Sequence, residues 1–262
     1  YTLSEEDCVR FIGRIAHEAG VAIDATNPLY DGALADGSRV NITVPPVSDP
    51  YPSFTIRKFR KNPFTINEWI ASGGISAEAA SLLWCAVEGF GKTAANLLVV
   101  GGTGCGKTTL LNSLSLLVPR QRRLVCIEDT KELQLAHQNT VRLETSADVD
   151  MVRLLVNALR MRPERILVGE VRGPEAATLF SAMNTGHDGC MGTLHANSAE
   201  ECVGRITNAP MCVPIGQFSA LDLVVVLDTV QRGGTTFRFC REIAEVGSVD
   251  DTAVRFNKLY EF

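Results

Sequence analysis

The sequence lacks any long apolar segment. Its longest aliphatic runs, at positions 97–100 and 223–227, contain four and five residues, whereas a helix that crosses a bilayer needs about 20 consecutive apolar residues. The first 20 residues are charged and include no apolar stretch of the kind that a signal peptide requires. The sequence therefore predicts neither a membrane span nor a secretion signal.

The sequence also lacks an excess of positive charge. Its 25 lysines and arginines are outnumbered by 30 aspartates and glutamates, so the formal net charge is −5. Proteins that bind nucleic acid through its phosphates need a basic surface. This charge balance argues against nucleic acid as a direct partner.

Cysteine is present, but not in the pairs that are typical of metal or redox motifs. None of the eight cysteines forms a C-x-x-C pair. A chain of 262 residues, 45% of them hydrophobic, can bury a core without disulfides. We interpret the cysteines as reduced and mostly buried thiols, which predicts a cytoplasmic protein.

Residues 1–61 have the pattern of a small α+β domain. An amphipathic helix is predicted after Ser4, a typical helix-capping residue. Alternating, strand-like runs follow at 40–44 and 54–59. The basic segment 57–63 ends in proline, and we interpret it as a linker to the next domain.

Residues 62–262 have the pattern of a larger α/β domain. Thr65 and Ser76 each predict the start of a helix, and a longer helix is predicted over 149–161. Continuous apolar runs alternate with the helical stretches and lie at 97–100, 124–127 and 166–169. Such an alternation predicts a mainly parallel sheet that is covered by helices on both faces.

A glycine-rich segment carries the strongest functional signal. Residues 101–108 read GGTGCGKT and match G-x-x-x-x-G-K-[S/T], between an apolar run and a predicted helix. Glycines let successive backbone N–H groups face phosphate, and the helix N-terminus adds positive charge. Lys107 is predicted to reach the β- and γ-phosphates and Thr108 to bind Mg²⁺. The predicted nucleotide-binding residues are Gly102, Thr103, Gly104, Cys105, Gly106, Lys107, Thr108 and Thr109.

Two acidic segments follow apolar runs. Glu170 comes after Gly169, which stands where a phosphate-loop site usually has Asp. Glu170 is predicted to orient and deprotonate the attacking water, or to hold the metal. Glu128 and Asp129 close the run 124–127, where they can hold Mg²⁺ or the water. A solvated loop is the alternative interpretation of this second segment.

A second glycine-rich segment, 186–197, contains His187 and His195. A metal site would need a third ligand, and no thiol or acid has suitable spacing. We interpret His195 as a phosphate contact; a structural histidine in the core is the alternative.

These four segments, in this order, resemble the motifs of the secretion ATPase superfamily. Its members are the motors of type II and type IV secretion, of type IV and tight-adherence pili, and of archaeal pili and archaella. The matching motifs are GGTGCGKTT (101–109), IEDTKEL (127–133), ILVGEVRG (166–173) and TGHDGCMGTLHANS (185–198). VRLET (141–145) and ALRMRPERI (158–166) resemble the tight-adherence and archaeal branches.

The resemblance implies fold, cofactors and partners. It implies that 62–262 is a RecA-like P-loop domain that hydrolyses ATP with Mg²⁺, and that the chain forms a homo-hexamer. The implied work is pilus assembly or protein secretion, through contact with an inner-membrane platform protein that would hold the motor at the cytoplasmic membrane. Family members also usually carry more sequence before the position of Thr2, so we expect a longer native chain.

The resemblance also points to arginines. DGSRVN (36–41) and FTIRKF (54–59) are similar to family segments that carry arginines toward the nucleotide. This implies that Arg39 and Arg57 contact the γ-phosphate across a domain or subunit boundary, and Arg142 is a further candidate. A solvated strand arginine is the alternative at each position.

Cys105 stands where relatives often carry Ser. A helix N-terminus and a nearby lysine can lower the pKa of a thiol. We therefore predict that Cys105 reacts with alkylating reagents and that bound nucleotide protects it.

Three other functions share parts of this pattern. A RecA-like nucleic-acid motor would share the phosphate loop but would need a basic channel. A small-molecule kinase would need a lid with clustered arginines, which is not apparent in the sequence. A regulatory subunit without hydrolysis would not require Lys107, Thr108 and Glu170 together.

Overall fold

A computed structural model describes residues 4–58, 62–89 and 92–262. The chain divides into two compact units, residues 1–61 and residues 62–262. Residues 59–61, in the centre of the predicted linker, lie outside the described residues. Within the described residues, no helix combines the length and the apolar character that crossing a membrane would require.

The first unit contains one helix and a three-stranded antiparallel sheet. Helix α1 is Glu5–Ala19, and the strands are β1 (Leu29–Ala33), β2 (Arg39–Thr43) and β3 (Ser53–Arg57) in the order β1-β2-β3. The Ser4 hydroxyl accepts the backbone N–H of Asp7 and so caps α1. The small core of this first unit contains Ile12, Ile15, Val40 and Ile42.

The second unit is built on an eight-stranded sheet. Its strands are β4 (Leu97–Gly101), β5 (Leu124–Glu128), β6 (Thr140–Glu144), β7 (Arg165–Val168), β8 (Met191–Leu194), β9 (Leu223–Arg232), β10 (Thr235–Val249) and β11 (Val254–Glu261). Their order is β11-β10-β9-β4-β8-β7-β5-β6. The six strands from β9 to β6 pair in parallel, and β10 and β11 add an antiparallel edge.

Helices cover both faces of this sheet. They are α2 (Ile66–Ala71), α3 (Ala77–Glu88), α4 (Lys107–Ser115), α5 (Met151–Ala158), α6 (Glu175–Asn184) and α7 (Ala199–Thr207), with short 3-10 turns at Leu159–Met161 and Ile215–Ala220. On one face, Trp69, Leu83 and Leu110 from α2, α3 and α4 pack on the strands. On the other face, Leu155 and Phe180 are part of a core that also includes side chains of α7. The predicted α/β class with a mainly parallel sheet is confirmed.

The direction of the strands determines where chemistry can occur. Parallel strands end at the same edge of a sheet, and ligands of α/β proteins bind outside that edge. The chain segments that leave β4, β5, β7 and β8 at this edge begin with Gly102, Asp129, Gly169 and His195. The four predicted motifs therefore meet at one edge of one sheet.

Candidate functional site

The segment between β4 and α4 is the glycine-rich loop that the sequence predicts to bind phosphate. Gly104 (φ 76°) and Gly106 (φ 99°) have the left-handed backbone that glycine tolerates best. A Cβ atom on Gly101 would lie 2.5 Å from the Cys105 Sγ and 2.6 Å from the Leu227 carbonyl oxygen, so only glycine fits there. No described side chain caps the start of α4 at Gly106, so its N-terminal N–H groups are suited to an anion.

Lys107 is the first residue of α4 and is buried. Its Nζ donates to the carbonyl oxygens of Gly101 (3.0 Å) and Gly102 (2.8 Å) and contacts the His195 Nδ1 (3.2 Å). Burial lowers the pKa of Lys107, partly offset by nearby groups such as Glu170. The two loop carbonyl groups thus hold the ammonium group in a position where a bound phosphate would accept its hydrogen bonds.

His195 connects Lys107 to Glu170. Its Nδ1 faces the ammonium group, and its Nε2 lies 3.0 Å from the Glu170 Oε1. Burial and the charge of Lys107 lower the pKa of His195 below its ordinary value. The imidazole is therefore neutral at pH 7, and the lysine as donor assigns the remaining ring proton to Nε2, facing the carboxylate.

Glu170 follows β7 and lies close to Arg172, His195 and Lys107. Its Oε2 accepts a hydrogen bond from the guanidinium of Arg172. Burial raises the pKa of Glu170, but Arg172, His195 and Lys107 outweigh burial, and the net pKa lies below its ordinary value. Glu170 is therefore an ionised carboxylate at neutral pH, one-fifth exposed.

Arg172 is a site residue that sequence reasoning missed. It binds Glu170, and its Nη1 lies 3.6 Å from the Asp129 Oδ2, so it bridges two acidic segments. Residues two apart in an extended segment point to the same side, and this spacing from Glu170 could have identified it. The turn that carries it is fixed by Glu175, whose Oε1 accepts the N–H groups of Arg172 (2.6 Å) and Gly173 (2.8 Å).

Glu128 is placed differently from its predicted role beside the water. It is 3% exposed, and its Oε1 accepts the N–H groups of Glu132 and Leu133, both at 2.8 Å. Its Oε2 lies 3.2 Å from Arg142 and 3.4 Å from the Cys126 Sγ. These contacts engage both oxygens with the protein itself.

Arg142 also differs from its prediction as a phosphate contact. Besides Glu128, its Nη2 binds the Leu133 carbonyl oxygen at 2.5 Å. Arg142 lies in the middle of β6, and its side chain extends over the neighbouring strand β5. There its guanidinium binds the loop that follows β5. Its position in the middle of the strand, rather than at the carboxyl end where the four motifs meet, explains the difference.

The surroundings of Cys105 do not favour the reactivity that the sequence predicts for its thiol. Its side chain is turned into the protein beneath Gly101 and is 2% exposed. Burial raises the pKa of the thiol, and the charge of Lys107 only partly opposes this effect. Desolvation of the thiolate therefore outweighs the lysine that favoured reactivity in the sequence.

Arg39 and Arg57 lie in the first unit, as directly opposed residues of β2 and β3. The Arg39 Nη2 is 3.8 Å from the Asp31 Oδ2. Both arginines belong to the face of the sheet opposite the buried Val40 and Ile42. Their predicted contact with a nucleotide stays a prediction.

Further arginines support the loops of the site from outside. The Arg238 Nε donates to the Gly104 carbonyl oxygen at 2.8 Å, and the Arg205 Nη1 donates to the His195 carbonyl oxygen at 2.8 Å. The guanidinium of Arg241 binds the Asn197 carbonyl oxygen. Sequence reasoning missed all three, because they come from α7 and β10, outside the motifs.

The residues of the site fit a Mg²⁺–nucleotide complex. Among the described residues, no group of three or more His, Cys, Asp or Glu side chains could hold a metal ion. Mg²⁺ usually takes one or two protein oxygens and completes its shell with phosphate and water. The Thr108 hydroxyl and the Glu170 carboxylate are oxygen donors of this kind, beside an ammonium group that suits phosphate.

Comparisons with known proteins identify a family and several similar chains. The family described as "Type II/IV secretion system protein" matches residues 7–238, which include all four motifs. The resemblance drawn from those motifs is thereby confirmed.

Individual relatives extend over most of the chain. A probable conjugal transfer protein, TrbB, of Sinorhizobium fredii is 37% identical over 246 residues, 90% of this chain and 72% of TrbB. An uncharacterised protein of Methanocaldococcus jannaschii is 47% identical over 198 residues, and the match spans only 28% of that longer protein.

A solved structure is similar as well. The VirB11 ATPase of the Brucella suis type IV secretion system, crystallised with sulphate, superposes with a TM-score of 0.57 at 28% identity. The similarity covers 92% of this chain and 80% of the VirB11 chain.

Proposed function

This chain belongs to the type II/IV secretion system protein family, and on that premise we propose that it is a Mg²⁺-dependent ATPase whose turnover powers pilus assembly or protein secretion. The observation that carries the proposal is the line of contacts from Lys107 through His195 to Glu170. It joins a phosphate-binding lysine to an ionised carboxylate across a neutral imidazole.

ATP binding uses the loop and the start of α4. The N–H groups of residues 102–109 face the phosphates, and Lys107 exchanges its carbonyl partners for the β- and γ-phosphate oxygens. The loop keeps its shape because Arg238 holds the Gly104 carbonyl oxygen from outside. Binding energy is thus not spent on folding the loop.

Hydrolysis uses Glu170 as the general base. The carboxylate is ionised at neutral pH and accepts a proton from water as the water oxygen attacks the γ-phosphorus. The bond between the γ-phosphorus and the ADP oxygen breaks, and the proton passes to the phosphate product. His195 contacts both Lys107 and Glu170. A γ-phosphate that binds Lys107 would therefore influence the base through the His195 side chain.

The metal requires few protein ligands. Thr108 would bind Mg²⁺ directly, and Glu170 would reach it through water. When bound, Mg²⁺ would neutralise negative charge on the phosphates.

The motor role rests on the family. We propose a homo-hexamer at the cytoplasmic face of the membrane, attached through a membrane platform protein. In that ring, Arg39 and Arg57 would approach a nucleotide across a domain or subunit boundary. Arginines supplied in this way can accelerate phosphoryl transfer by roughly 10³–10⁵-fold.

Phosphate release and nucleotide binding test the proposal. The wild-type protein should hydrolyse ATP with Mg²⁺ and lose activity with EDTA, and Lys107→Ala should lose affinity for a fluorescent ATP analogue. Arg57→Ala should keep this affinity and lower turnover. Unchanged nucleotide binding in Lys107→Ala would overturn the assignment of the loop, and unchanged turnover in Arg57→Ala would remove that arginine from the site.

A further inference from the structure

The loop 129–139 connects β5 to β6 without a helix or strand of its own. It nevertheless begins with Asp129, whose carboxylate contacts Arg172 at the site. A loop that presents a charged group to an active site needs its backbone fixed, because flexible presentation lowers the population of productive geometry.

Three consecutive N–H groups of this loop are bound by buried side chains. The Glu128 Oε1 accepts those of Glu132 and Leu133 (both 2.8 Å), and the Asn112 Oδ1 accepts that of Gln134 (2.9 Å). Asn112 belongs to α4, the helix that starts at the phosphate loop. The loop is therefore tied both to its own strand and to the nucleotide-binding helix.

Arg142 closes the arrangement from β6. Its guanidinium neutralises the buried Glu128 and binds the Leu133 carbonyl oxygen. A buried carboxylate is stable when its oxygens are paired with charge and N–H donors. Glu128 meets this condition, with four partners on its two oxygens.

Glu128 also explains Gly169. A Cβ atom at position 169 would lie 3.0 Å from the Glu128 Cγ, so the side chain of Glu128 occupies the space above the end of β7. Glu170 follows directly. The anchored loop and the catalytic turn thus pack against each other through one carboxylate side chain.

We propose that Glu128 is a positioning residue, which fixes the loop 129–139 so that Asp129 holds Arg172, and Arg172 holds Glu170. The proposal rests on the function proposed above, in which Glu170 is the base. Glu128 takes no proton from water in this scheme, which distinguishes it from Glu170.

The test compares two substitutions at Glu128 with Glu170→Gln. Glutamine keeps an oxygen acceptor for the two loop N–H groups, so Glu128→Gln should lower kcat by less than about tenfold. Glu128→Ala removes the anchor and should lower kcat by about 10–100-fold with little change in KM for ATP. Glu164→Gln is the matched control, because Glu164 binds the N–H of Arg123 and the guanidinium of Arg122 at the other end of β7; it should keep wild-type kcat.

Two further readouts separate positioning from general damage. Hydrogen exchange should accelerate in residues 129–139 of Glu128→Ala but not of Glu164→Gln, whether or not the protein turns over ATP. If Glu128 acts through Asp129, adding Glu128→Ala to Asp129→Asn should not lower kcat further. Should Glu128→Ala fail to fold, Asn112→Ala removes one anchor of the same loop and should give the same pattern in weaker form.

Several results would overturn the inference. Glu128→Gln as inactive as Glu170→Gln would make Glu128 a proton acceptor, and additive effects of the Glu128 and Asp129 changes would break the proposed path. An unchanged hydrogen-exchange rate in residues 129–139 of Glu128→Ala would show that Glu128 does not anchor the loop. A wild-type protein without ATPase activity would instead refute the proposed function, while the exchange experiment would still report on the anchor.

Discussion

Replacing Arg172 by glutamine is expected to slow ATP turnover far more than it destabilises the fold. The guanidinium is about two-thirds exposed and contacts Glu170 and, at 3.6 Å, Asp129. At this distance the gross attraction is about 4–5 kcal/mol for an effective dielectric constant of 20. Exposed ion pairs nevertheless contribute only about 0.2–1 kcal/mol net, because water and salt screen them.

The loss of stability should therefore be small. A change of 1 kcal/mol lowers the Tm of a domain of this size by about 2–4 °C. Turnover should fall by about 10–100-fold, because Glu170 loses the group that aligns it, and a misplacement of about 1 Å can cost 10²-fold.

The pH dependence gives the sign of the effect. Burial raises the pKa of Glu170, and Arg172 is the first of the cations that pull it below its ordinary value. Without Arg172 the pKa rises, so the ionised base is lost at a higher pH. The acidic limb of kcat/KM should shift to higher pH in Arg172→Gln.

Steady-state phosphate release between pH 5 and 8, with thermal denaturation of the same samples, measures both effects. Arg255→Gln is the matched control, because Arg255 lies on the edge strand β11 and forms an exposed ion pair with Asp250. An Arg172→Gln protein with wild-type kcat and an unmoved acidic limb would show that Arg172 does not align Glu170 and forms only a surface ion pair.

Three other predictions follow from the geometry. Cys105 should resist maleimide even without nucleotide, while the exposed Cys85 reacts; peptide mapping that finds Cys105 modified at the rate of Cys85 would contradict its burial. The lowered pKa of His195 means that stability is full above pH 6.5 and falls as acid charges the ring, so His195→Gln should lose less stability between pH 7.5 and 5 in urea titrations; an equal loss would oppose this. Gly169→Ala should cost about 1–3 kcal/mol by overpacking against Glu128, and an unchanged urea midpoint would show that the strand end has room.

The sequence was sufficient to predict helix starts that are set by residues within one turn. Thr65 and Glu68 form the capping box that starts α2, because both partners lie within one turn. The helix predicted over 149–161 begins later, at Met151, because Asp150 caps it. The alternation of apolar runs with helical stretches also predicts that the strands are parallel. Motifs that follow parallel strands are expected to meet at one edge of the sheet.

Contacts between distant segments could not be predicted in this way. The bridge from Arg172 to Asp129 requires β7 to lie beside β5, and the tie from Asn112 to Gln134 requires α4 to pack near the loop after β5. Both depend on strand order rather than on spacing. The expectation for Cys105 changes for a related reason, because its burial beneath Gly101 depends on tertiary packing. The lysine that favoured reactivity lies only two residues away in the sequence.

Glu170 is the proposed base for ATP hydrolysis at the phosphate loop. The direct test is phosphate release by Glu170→Gln at saturating ATP and Mg²⁺, together with its affinity for a fluorescent ATP analogue and with Glu164→Gln as the control. Glu170→Gln should bind the analogue with wild-type affinity and turn over ATP about 10²–10⁴-fold more slowly, whereas Glu164→Gln should keep the wild-type rate. Turnover at the wild-type rate in Glu170→Gln would show that Glu170 is not the base.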